Sequence, residues 1–110
     1  TVEINEVLGR RAKNLLSELG YSNVHVKIGD GYKGWPVHSP FDGVIVTCAP
    51  ADIPKPLKEQ LAEGGRLVIP VGAGSFQKLV VLTKTDGGWE KRTIAPVRFV
   101  PMLKKDGTTY

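Results

Sequence analysis

Gly43-Val44-Ile45-Val46-Thr47-Cys48 is a near-continuous apolar run, and with Arg66-Leu67-Val68-Ile69-Pro70-Val71 it decides the fold. A sheet with one wet face alternates polar and apolar residues, whereas unbroken runs belong to strands covered on both faces, as in parallel sheets. Between the two runs the chain reads as a helix. Asp52 is placed to cap it, and Pro54 and Pro56 fall in or near its first turn, where a missing N–H costs least. Leu57, Leu61 and Ala62 give it an apolar side before Gly64-Gly65 stops it.

Toward the amino end, Asn23-Val24-His25-Val26-Lys27-Ile28 alternates with period two and predicts a strand, closed by the turn Gly29-Asp30-Gly31. Val7, Leu8, Ala12, Leu15, Leu16 and Leu19 recur at helical spacing. Asn5 offers that helix an N-cap, Glu6 complements its dipole, and Gly20 supplies the stop. Thr1-Val2-Glu3-Ile4 reads as the end of a further strand, and Tyr32 to Pro40 as a loop holding Gly34-Trp35-Pro36. Toward the carboxyl end the pattern turns antiparallel: Lys78–Thr85 and Trp89–Ile94 both look extended and are joined by Asp86-Gly87-Gly88, a hairpin signal. Val97 to Pro101 is a short extended piece. Residues 1–103 read as one partial α/β domain and 104–110 as a loose polar tail.

The order strand–helix–strand–strand–helix–strand–hairpin describes most of a doubly wound, Rossmann-like α/β sheet, mostly parallel with an antiparallel carboxyl-terminal hairpin. Such sheets bind ligands at the carboxyl ends of their strands, beside a glycine-rich loop after the first strand. No strand–glycine-loop–helix unit precedes Glu3, and the chain opens at Thr1 directly in strand-like sequence. The 110 residues therefore read as the later half of something larger.

Composition narrows the function. Residues 1–63 carry seven basic and eight acidic groups, residues 64–110 eight and three, for a net charge of +4. That excess falls short of a nucleic-acid footprint. No apolar run approaches the roughly 20 residues that cross a bilayer, and the start does not read as a signal peptide. One cysteine, Cys48, excludes an internal disulfide and a cysteine-only metal site, and it suits a reducing cytoplasm. His25 and His38 lack a metal-ligand spacing, and neither is placed by sequence to activate Cys48.

Three strand ends carry groups of chemical interest. Glu3 closes the first strand, where a nucleotide-binding sheet keeps an acid for the ribose hydroxyls; a solvated strand-end charge explains it equally. Asp30, between two glycines, is able to accept from an exocyclic amine such as adenine N6 while Gly31 lets the backbone approach the ring; Gly-Asp-Gly is also an ordinary turn. Thr47 ends the third strand and reads either as a ligand contact or as packing. Gly72-Ala73-Gly74-Ser75 imitates half of a dinucleotide loop, but Gln77 stands at the third glycine and a strand follows, so it has no helix N-terminus for phosphate.

Taken together, Gly20-Tyr21, Asn23-Val24, Gly29-Asp30-Gly31, Gly34-Trp35-Pro36, Pro40-Phe41-Asp42, Ile45-Val46-Thr47, Ile53-Pro54, Gln60-Leu61, Gly64 to Gly72 and Val97 to Met102, in that order, carry a resemblance. The chain resembles the carboxyl-terminal part of the protein-L-isoaspartate O-methyltransferases, within the class I methyltransferase sheet. The resemblance implies an S-adenosylmethionine-dependent enzyme that methylates the carboxylate of isoaspartyl residues in damaged proteins and so repairs them. It implies Glu3 on the cofactor ribose, Asp30 and Gly31 on the adenine, and Thr47 near the cofactor and substrate mouth; no metal and no catalytic residue is implied here.

Two departures bear on activity. The family often has a hydroxyl residue after its Val-Pro-Met segment, where Leu103 stands here, with Thr108 further along. The family's glycine-rich loop and active-site serine segment lie upstream of Glu3. Methyl transfer of this kind depends on positioning, so the chain alone is expected not to catalyse. A strand is expected to be missing between Glu3 and Val44–Thr47, leaving two unpaired inner edges, for which the outcomes are that the two strands close up, that a second copy fills the gap by strand-swapped self-association, or that the upstream chain is present separately. The contrasting expectation is a non-catalytic adenosine-binding or assembly module built on the same half-sheet.

Overall fold

A computed structural model describes all residues, Thr1 to Tyr110. In chain order the elements are β1 (Val2–Glu3), α1 (Glu6–Glu18), β2 (Lys27–Ile28), β3 (Phe41–Ile45), α2 (Lys55–Glu59), β4 (Leu61–Val71), β5 (Gln77–Thr85) and β6 (Gly88–Val97). They form two sheets. β1 and β2 pair in parallel, while β3, β4, β5 and β6 lie side by side in that order, the first pair parallel and the other two antiparallel. The free edges of β1 and β3 bound a cavity between the sheets, so the expected gap is present and the two strands have not closed up.

The first helix begins and ends as its sequence dictates. The Asn5 side chain accepts from the Leu8 amide at 3.0 Å. At the other end Gly20, at φ +82, lets the Tyr21 amide reach the Leu16 carbonyl and its own amide reach Ser17. These are the two bonds of a Schellman stop. The apolar positions divide into two stripes rather than one. Gly9 is buried and Ala12 and Leu16 are half-buried, and a Cβ on Gly9 would stand 2.8 Å from Ile28. Val7, Leu8, Leu15 and Leu19 are exposed, because no other element of these 110 residues covers that side.

Four expectations fail for local reasons. The strand expected over Asn23–Ile28 is only Lys27–Ile28 beside the two residues of β1, with the Thr1 amino group donating to the His25 carbonyl at 2.8 Å just ahead of it. Asp52 does not cap α2; Pro54 holds that place without a side-chain bond. The helix ends at Glu59 rather than at Gly64, because Leu61 already pairs with Phe41 in the sheet. Residues Ala62–Gly65 then bulge out before Arg66 rejoins opposite Gly43, with Gly64 at φ +75 and no room for a Cβ on Gly65 against the Phe41 carbonyl. Finally, β3 ends at Ile45 and is not covered on both faces: it is an edge strand, and Ile45 is 75% exposed.

The core lies between α2 and one face of the larger sheet. Leu57 of α2 meets Leu61, Leu67 and Ile69 of β4 and Val80 and Leu82 of β5, with Val44, Val46, Ile53 and Val71 around them. β5 and β6 form the predicted hairpin, turning through Asp86-Gly87 with Gly87 at φ +87. Beyond β6, Gln77 fixes the chain's return. Its amide accepts from the Phe99 N–H at 2.7 Å and donates to the Phe99 carbonyl at 3.0 Å. That places Pro101 beside Ala49, where the Ala49 amide donates to Val100 and the Met102 amide to Ala49.

Candidate functional site

The cavity between the sheets holds about 420 Å³ and is lined by Thr1 and Val2 on one side, by β3 and Val46 to Cys48 on the other, and by Gly31, Trp35 and Met102. Small-molecule sites usually span roughly 300–1,000 Å³, so its size is adequate.

Glu3 stands at the carboxyl end of β1, half-buried, with Oε1 accepting from the Asn5 amide at 2.8 Å. Its other oxygen is unengaged. β2 runs parallel to β1 with Glu3 opposite Ile28, which places Asp30 beyond the same end of the small sheet. Asp30 Oδ1 accepts from the Tyr32 amide at 3.0 Å, opening the short 3₁₀ turn Gly31–Lys33. Its Oδ2 accepts from the Tyr110 hydroxyl. Gly31 lines the cavity, and a Cβ there would meet no atom within 4 Å, so the space in front of it is open.

Thr47 lies two residues past the end of β3, exposed, on the cavity wall beside half-buried Cys48. Burial, and then the nearby Glu3 carboxylate, push the Cys48 thiol up from its ordinary range. A protonated thiol is a poor nucleophile, which leaves Cys48 as packing. Of the four expected site residues, Gly31 and Thr47 line the cavity itself, while Glu3 and Asp30 stand beside it.

Other residues take roles that sequence did not assign. Gln60 is buried under the Gly34-Trp35-Pro36 loop; its Oε1 accepts from the Trp35 amide at 2.8 Å and its Nε2 donates to the Lys33 carbonyl at 2.9 Å. This bridge holds the loop that follows Gly31 against the cavity. The tail expected to be loose is a turned segment: Leu103 pairs with Thr109, and Lys104 and Thr108 are joined by a 2.7 Å backbone bond. Thr108 donates its hydroxyl to exposed Asp106, so it serves the turn and not the cavity. Tyr110 stacks on Tyr32, ring centroids 4.0 Å apart and 10° from parallel. His25 and His38, though distant in sequence, stack at 6.1 Å, and no group of three His, Cys, Asp or Glu side chains is placed to hold a metal.

Comparison with known proteins gives this geometry its context. The family model described as Protein-L-isoaspartate(D-aspartate) O-methyltransferase (PCMT) matches residues 1–107. The chain belongs to that family. A protein-L-isoaspartate O-methyltransferase of Gloeobacter violaceus (strain ATCC 29082 / PCC 7421) is 52% identical over 106 residues, covering 96% of this chain and 52% of the relative. One from Dictyoglomus turgidum (strain DSM 6724 / Z-1310) is 49% identical over 107 residues, covering 97% of this chain and 49% of the relative. The chain thus spans about half the length of the curated relatives it matches.

Two solved structures carry the fold. A protein-L-isoaspartate O-methyltransferase superposes with a TM-score of 0.88 at 30% identity, over 96% of this chain and 34% of that one. A Plasmodium falciparum protein described as a protein-L-isoaspartate O-methyltransferase, in complex with S-adenosyl-L-homocysteine, gives 0.79 at 25% identity, over 94% of this chain and 51% of that one. The mixed sheet with parallel strands and an antiparallel end is therefore the isoaspartyl methyltransferase sheet, and the family's enzymes are S-adenosylmethionine-dependent. No helix of the chain is long and apolar enough to cross a membrane.

Proposed function

We propose that this chain forms the adenosine-facing half of a protein-L-isoaspartate O-methyltransferase that acts on isoaspartyl-containing proteins in the cytoplasm. The observation that carries this reading is the placement of Gly31 and Thr47 on the wall of one cavity, with Glu3 and Asp30 beside it at the end of the small parallel sheet. Two carboxylates fit the polar groups of an adenosine: acceptors only, facing hydroxyl and amine donors. Gly31 carries no side chain that would obstruct a ring lying against Asp30.

In this assignment Glu3 accepts from the ribose hydroxyls with its free oxygen. Asp30 accepts from the adenine amine, and Thr47 borders the mouth where the substrate carboxylate enters. S-adenosylmethionine, when bound, supplies an electrophilic methyl group on a sulfonium. The substrate's own carboxylate oxygen is the nucleophile, so the protein contributes alignment and needs no strong base. Cys48, held protonated, takes no part.

By itself the chain is the non-catalytic adenosine-binding module, and the free edges of β1 and β3 invite strand exchange with a second copy. Fusing the upstream half of the Gloeobacter violaceus relative to Thr1 tests the activity. The reading predicts transfer of tritiated methyl groups to an isoaspartyl peptide, none to its aspartyl counterpart, and none by the chain alone. Equal methylation of both peptides, or of neither by the fusion, contradicts it.

A further inference from the structure

The carboxylate assigned above to adenine already has an aromatic partner. Leu103 and Thr109 pair across the tail's turn, and the Tyr110 amide donates to the Met102 carbonyl at 3.0 Å. This delivers the Tyr110 ring onto Tyr32, with its hydroxyl donating to Asp30 Oδ2 and the Lys104 ammonium 5.3 Å from its centroid. Stacking on an aromatic face and donating one hydrogen to a carboxylate are the two things an adenine ring would do at the same place. The phenol is a chemical stand-in for the base.

We propose that Tyr110 occupies the adenine position, so that the carboxyl-terminal tail and the cofactor's adenosyl group compete for Asp30 and Tyr32. The inference rests on the adenosine site proposed above. The tail suits a displaceable plug because its base is tied to the domain by only two backbone bonds, Tyr110 to Met102 at 3.0 Å and Ala51 to Tyr110 at 3.4 Å, and the rest of its backbone support lies within its own turn. Its turn is closed by backbone bonds among exposed residues and by exposed Asp106, which accepts from the Thr108 amide at 2.9 Å and its hydroxyl at 2.6 Å. Segments held this way open locally at small cost. A ligand that requires the open form binds with its intrinsic constant divided by the open fraction.

Calorimetric titration of S-adenosylhomocysteine into the chain, Tyr110→Ala and Tyr110→Phe tests this, with NMR contacts between the Tyr32 and Tyr110 rings as a second readout. If the tail is docked in nine molecules of ten, Tyr110→Ala binds about tenfold more tightly than the parent. Tyr110→Phe, which keeps the ring and loses the hydroxyl, falls between them. The ring-to-ring contacts of the parent vanish at saturating ligand. Equal affinity of parent and Tyr110→Ala, or contacts that persist in the saturated complex, overturns the competition while leaving the adenosine site intact. Absence of binding by all three chains overturns the adenosine site and the competition with it.

Discussion

A Cβ on Gly34 would stand 2.2 Å from Oε1 of Gln60, the atom that accepts the Trp35 amide bond. Gly34 also sits at φ +65, ψ −148, a region that only glycine occupies without strain. The Gly-Trp-Pro segment and the Gln60 side chain are thus one device, and the cavity wall after Gly31 depends on it. Gly34→Ala should lower unfolding free energy by about 1–3 kcal/mol through the backbone alone. Gln60→Ala should cost about 1–3 kcal/mol by leaving the Trp35 N–H and Lys33 carbonyl unpaired. Urea denaturation of both and of the double variant checks the coupling: the double variant should lose less than the sum, since the clash needs the Gln60 side chain.

Gln77 performs a corresponding task for the chain that follows β6. It is buried at the start of β5 and bonds both backbone groups of Phe99. Gln77→Ala should cost about 1–3 kcal/mol and release residues 98–103. Hydrogen exchange should show the Phe99 amide deprotected first, before the β4 and β5 amides.

The Tyr110 hydroxyl gives a pH signature. Its bond to Asp30 is the leading cause, followed by desolvation, that pushes it up to about 12 from 10.0. The raised value means the docked tail favours the neutral phenol. Its contribution is complete below about pH 10 and is lost as pH rises through about 12. Absorbance titration of the tyrosines should show one of the three ionising late, and Asp30→Asn should return it toward the ordinary range.

Cys48 offers an independent view of Glu3. Burial is the main cause of its raised thiol value and the Glu3 charge the second. Alkylation by iodoacetamide at neutral pH should therefore be slower than for an exposed thiol. Glu3→Gln should speed it modestly, because the larger cause remains.

The free edges of β1 and β3, together with exposed Val7, Leu8, Leu15, Leu19 and Ile45, should drive self-association of the chain. Light scattering should give about twice the 11.9 kDa of one copy. A clean single-copy mass at all concentrations would count against strand exchange.

Much of this was legible in the residues. The Asn5 and Gly20 ends of α1, the runs in β3 and β4, the Asp86-Gly87 hairpin and the strand-end places of Glu3 and Asp30 all follow from local chemistry and period. What failed was decided by partners. Asn23–Val26 alternates well but only Thr1 reaches it, through the His25 carbonyl, and Leu61 has helical spacing yet pairs with Phe41. Burial of Ile45 was misread for the same reason, since apolar runs do not reveal whether a neighbouring strand is there. The Gln60 and Gln77 bridges link positions more than twenty residues apart. Tyr110 had no signal at all: its tail is polar and aperiodic, and only the turn through Asp106 and Gly107 carries its ring to Asp30.

The assignment of Asp30 to adenine is the centre of the account, and calorimetric titration of S-adenosylhomocysteine into the chain and its Asp30→Ala variant tests it most directly. The account predicts one ligand bound per chain, with binding lost on removal of the Asp30 carboxylate. Binding of equal strength in both chains, or no binding by the unaltered chain, would contradict it.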